Sequence, residues 1–141
     1  MATSANRKKF EELIDQWILI EDKSIDNTND LMSKSDNPIV KSMIDLIKMD
    51  SEKHKRILET IRLSLNSTVV FNTDDLMVVD SLVEKHAQME EHAVETAEQA
   101  VEMSSLPIPK FLLEHLLQDE RSHDAYVQEL DELRVYMSKD T

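Results

Sequence analysis

The stretch FEELIDQWILIEDKSI, residues 10–25, decides the fold. Its apolar side chains recur at spacings of three and four, so Phe10, Leu13, Ile14, Trp17, Ile20 and Ile25 share one face of a helix, a face that Thr28 extends. Glu21 and Ser24 lie within that face rather than opposite it. The same pattern returns 69 residues later. Leu13 aligns with Leu82, Pro38-Ile39 with Pro107-Ile108 and Lys41 with Lys110. Glu21 aligns with Glu90, Asp50 with Asp119 and His54 with His123. Apolar positions match between any two helical hairpins. An acid and a histidine repeated in the same frame indicate one polar site built twice, about a pseudo-two-fold. The period is too long and the copies too few for a solenoid.

Composition narrows the class. The 141 residues contain no glycine and no cysteine. A chain rich in hairpins or tight β-turns needs residues at positive φ, so a glycine-free chain is read as helices joined by simple connections. Phosphate-binding loops and dinucleotide folds are excluded on the same ground. Absence of cysteine removes thiolate metal sites, disulfides and cysteine nucleophiles. A formal net charge of −13 repels phosphate backbones and anionic lipid, so neither nucleic acid nor membrane is an expected partner. No apolar run approaches the ~20 residues of a membrane span, and no hydrophobic signal core follows Met1, so the expected location is cytoplasmic. Serines are plentiful, but no serine-histidine-acid set can be assembled by spacing, and a nucleophile elbow lacks its glycines.

Four long amphipathic segments follow, read as one domain spanning 1–141 with hairpin repeats at about 4–65 and 73–138. The first helix begins near Thr3 or Ser4 and fades through Asp26–Asp30. Asp36-Asn37-Pro38 caps and starts the second, whose stripe is Val40, Met43, Ile47, Asp50 or Ser51, His54, Leu58 and Ile61, ending near Leu63. Asn66–Asn72 is read as an extended connection. Thr73 or Asp74 is expected to cap the third helix, with Leu82, Val83, His86, Glu90, Ala93, Val94, Ala97 and Val101 inward. Pro107 and Pro109 restart the chain into the fourth, which carries Leu112, Leu113, Leu116, Glu120, His123, Val127, Leu130 and Met137. The expected fold class is an all-α four-helix bundle.

Heights along these helices bring the polar residues level. At 1.5 Å per residue, Glu21 and His54 lie roughly 21 and 24 Å from their shared turn, and Glu90 and His123 both roughly 21 Å from theirs. Glu120, three residues before His123, shares its face. No lysine or arginine falls on these stripes near that level. Buried unpaired carboxylates cost several kcal/mol each, and protonation, ion pairing or a metal relieves that cost. Carboxylates beside neutral imidazoles suit iron, manganese or zinc.

This constellation resembles the ferritin-like carboxylate-bridged di-iron bundles, rubrerythrin relatives included, in which two helices each give a glutamate and two each give Glu-x-x-His. Glu21 matches the first lone glutamate, Glu90 the second, and Glu120-Arg121-Ser122-His123 the motif of the fourth helix. In the second helix the motif reads Ser51-Glu52-Lys53-His54, so Ser51 stands where the family places a glutamate that usually bridges two metals. Glu52 points about 100° away and does not replace it. Asp50 and Asp119 lie four residues before the histidines. The resemblance implies one or two metal ions, iron foremost and manganese or zinc as alternatives, on Glu21, His54, Glu90, Glu120 and His123. It further implies oxidoreductase or peroxidase chemistry with oxygen or peroxide. The missing bridge lowers the site's charge and raises a mononuclear or inactive site as the competing expectation. His86 is expected to fill core, His92 and His115 to face solvent, and Tyr126 to pack one turn beyond His123.

A metal-free helical module that binds other proteins or pairs as a homodimer is the alternative reading, and an iron-storage subunit a weaker one. In ferritin-like folds the second and third helices run parallel, so their link must travel along the bundle. Helices ending near Arg62 and starting near Leu76 leave thirteen residues, which reach roughly 43 Å and suffice. Helices extending to Leu65 and Asp74 leave roughly 28 Å of reach against a need of about 42 Å, which favours a direct turn or exchange of hairpins between two chains.

Overall fold

The computed structural model describes residues 3–66 and 71–139. It contains four α-helices: α1 Ser4–Met32, α2 Pro38–Asn66, α3 Thr73–Met103 and α4 Pro107–Lys139. No strand occurs among the described residues. The chain is all-α, consistent with a four-helix bundle. It divides into two compact units, Met1–Val69 and Val70–Thr141, each an α-helical hairpin, α1 against α2 and α3 against α4. The division falls where the internal repeat places it.

Side-chain oxygens cap the N-termini of three of the helices. Thr3 accepts from the Asn6 amide at 3.2 Å to start α1. Asn37 Oδ1 accepts from the Ile39 amide at 2.9 Å, and Pro38 occupies the first helical position of α2, as the sequence indicates. The third helix corrects the expectation of Thr73 or Asp74: its cap is Asn72. Asp75, three residues on, accepts from the Asn72 amide at 3.0 Å while Asn72 accepts from the Asp75 amide at 2.8 Å. This reciprocal box satisfies two donors at once, which neither Thr73 nor Asp74 achieves. No described residue has positive φ, in keeping with a sequence free of glycine.

The helices also run further than expected, with α2 reaching Asn66 and α3 starting at Thr73. This is the longer-helix case of the connection. Within the expected extended connection, residues 67–70 lie outside the described ones.

In the first unit Ile14, Ile18 and Leu58 form the buried core, with Ile61 packed against it. In the second, Val127, the repeat counterpart of Leu58, is buried. Full burial of each such side chain contributes about 1.5–3 kcal/mol. Several residues assigned to the inward stripe are instead well exposed: Leu13, Trp17, Ile20 and Ile47 in the first unit, Leu82 and Leu116 in the second. The stripe is wider than one partner helix covers, so only its side facing that partner, centred on Ile14, Ile18, Glu21 and Thr28, is buried.

Polar ties across each hairpin set its register. Lys55 Nζ lies 2.6 Å from Asp22 Oδ1, Arg62 pairs with Asp15, and Arg7 donates to the Leu65 carbonyl. In the second unit Arg134 bridges Asp80 at 2.9 Å and Asp131 at 2.7 Å, and Arg121 meets Glu98 at 3.2 Å. These pairs are largely solvated and orient the helices more than they stabilise them.

Candidate metal centre

The regular rise of each helix puts its acid and histidine level, and each hairpin brings its own set together. In the first unit Glu21 is 8 % exposed. Its Oε1 accepts from the Trp17 indole N–H at 3.3 Å, one helical turn earlier. Its Oε2 is buried without a hydrogen-bond partner and lies 3.6 Å from His54 Nδ1. Beside them Ser51, also buried, places its hydroxyl 2.7 Å from that of Ser24.

The second unit gathers three ligand-type groups. Glu90, Glu120 and His123 each offer one donor atom, and these atoms all lie within 4.8 Å of one another. His123 Nδ1 is 3.8 Å from Glu90 Oε2 and 3.9 Å from Glu120 Oε2. Ligands about 2.1 Å from a tetrahedral ion stand about 3.4 Å apart, so inward movements of a few tenths of an ångström would seat one. Glu90 Oε2, like Glu21 Oε2, is a buried oxygen without a hydrogen-bond partner.

Electrostatics point the same way. Burial, then hydrogen bonding to Glu90 and the Glu90 charge, raise the Glu120 carboxyl above its ordinary range; His123 opposes the shift and Asp119 adds to it. Two carboxyl groups at one place hold a proton between them more readily than two negative charges.

The five expected ligands therefore form two groups, Glu21 with His54 and Glu90 with Glu120 and His123. One feature of the expectation needs correction. His54 and His123, assigned to the inward stripes, have side chains 47 % and 55 % exposed. The hairpin partner covers the acid side of each set and leaves the imidazole edge open. Asp119 is 3.5 Å from His115 on its own helix, so His115 is half-buried and paired rather than simply solvent-facing. His86 is half-buried, His92 is exposed, and Tyr126 is exposed rather than packed.

Two contributors escaped the sequence reading. Trp17 is not core filling but the donor that fixes Glu21, a role its position four residues earlier signals. Ser24 is the partner that makes Ser51 a satisfied hydroxyl. No protein family, curated protein or solved structure matches this chain.

Proposed function

We propose that this protein binds a transition-metal ion through carboxylate and imidazole donors, in the manner of the ferritin-like proteins its sequence resembles. The candidate donors fall in two sets, Glu90, Glu120 and His123 in one unit and Glu21 with His54 in the other, with iron the first candidate and manganese or zinc next. The observation that carries the reading is the Glu90–Glu120–His123 cluster, with a buried oxygen of Glu90 that nothing else satisfies. Iron bound there would supply one-electron chemistry toward oxygen or peroxide. The chain's own part is to hold two carboxylates against one cation and to present an imidazole whose exposed edge leaves a side of the site open.

The test is metal content. Protein purified after iron or manganese supplementation is expected to carry close to stoichiometric metal and to melt higher when metal is added. Less than about 0.2 ion per chain, with unchanged melting, sinks the proposal.

A second reading has its own support. Leu13, Trp17, Ile20 and Ile47 expose apolar surface on the first unit, and Leu82, Met89 and Leu116 do so at equivalent positions on the second. Such surface suits a metal-free helical module that docks proteins. The same metal analysis separates the two readings.

A further inference from the structure

The internal repeat makes the two donor sets comparable atom for atom, and they differ at few places. Ser51 corresponds to Glu120, and Ser24 to Ala93. In the first unit these positions hold a closed hydroxyl pair, Oγ to Oγ at 2.7 Å, with Ser51 buried. In the second they hold a carboxylate and a methyl group. Glu21 has one oxygen already engaged by Trp17, whereas the counterpart of Trp17 is His86. One set therefore offers a single carboxylate; the other offers two. Two carboxylates neutralise a divalent ion, while one leaves it charged in a half-buried place. A serine hydroxyl is a weak neutral donor and does not make up the difference.

We infer that the chain holds one divalent transition-metal ion on Glu90, Glu120 and His123 alone, and that the Ser24–Ser51 pair keeps Glu21 and His54 from holding a second. This deepens the proposed function and rests on it. Positions 24 and 51 are then the determinants of metal number, and the first unit is a copy of the site closed by its own hydroxyls.

Calorimetric titration of the full chain with Co(II) tests this. The wild type is expected to bind one ion. Glu90→Gln or His123→Ala should weaken binding at least about 10-fold, and Glu21→Gln or His54→Ala should change it less than about threefold. The double variant Ser24→Ala/Ser51→Glu should bind two, the second ion quenching Trp17 emission and vanishing when Glu21→Gln is added. A folded double variant that stays at one ion overturns the inference, as does a wild type that binds two or a Glu21→Gln loss equal to that of Glu90→Gln. If circular dichroism shows the double variant unfolded, the converse swap decides. Ala93→Ser/Glu120→Ser should abolish binding, and retained binding overturns the inference. One ion on the wild type upholds the proposed function however the swaps turn out; none overturns both.

Discussion

The indole N–H of Trp17 donates to Oε1 of Glu21 at 3.3 Å, so the chain's single tryptophan is fastened to a buried carboxylate. Half of the indole remains exposed, which means the ring is held by that bond as well as by packing. Trp17→Phe removes the donor and leaves a second oxygen of Glu21 without a partner. The expected cost is about 1–2 kcal/mol in urea unfolding at neutral pH. Glu21→Gln keeps an acceptor for the indole and relieves the buried charge, so it should cost less than Trp17→Phe. The reverse order would refute the account of this contact.

Stability without metal should depend on pH through Glu120. Its folded pKa lies above the unfolded value, so the folded state binds the proton more tightly. The favourable contribution is full below the ordinary carboxylate pKa of about 4.3 and is lost as pH rises through the folded value. Glu120→Gln, neutral throughout, removes this dependence. The metal-free variant should therefore gain on the wild type in melting temperature as pH rises from 4 to 7. A wild-type chain that instead gains on the variant over that range contradicts the shared-proton arrangement.

Core and surface should separate clearly. Leu58→Ala and Ile18→Ala, both buried in the first unit, are expected to cost about 2–4 kcal/mol. Leu19→Ala, at a neighbouring but exposed position, should cost about 0.5 kcal/mol. Chemical denaturation with comparable slopes measures all three.

The cap of α3 is equally open to test. Asn72→Ala breaks the reciprocal box with Asp75 and should cost about 1 kcal/mol, whereas Thr73→Ala should have a much smaller effect. Equal losses would move the start of the helix.

Much of this arrangement was legible in the amino acids. Periods of three and four gave the helices, Asn37-Pro38 marked a helix start, and the repeat anticipated that Glu21 would meet His54 and that Glu90 and Glu120 would meet His123. What escaped was rotation. Ile18 lies beside the predicted stripe, yet it is buried while Trp17 and Ile47 are exposed. A periodic pattern defines a broad apolar arc, and only the position of the partner helix selects which edge of the arc is covered. The Asn72 cap escaped for a different reason, because three consecutive candidates, Asn72, Thr73 and Asp74, all have capping side chains. Only the reach of Asp75 back to the Asn72 amide discriminates among them.

The short turns between α1 and α2 and between α3 and α4 bear on how the chain reaches its native state. Inside each hairpin, residues that touch across the helices are joined by modest loops, Ser24 to Ser51 being 27 positions apart and Glu98 to Arg121 being 23. Little loop entropy has to be surrendered before such contacts form, and helical chains of this kind collapse to order in microseconds to milliseconds. Each half of the molecule thus carries the instructions for its own assembly within a few dozen residues.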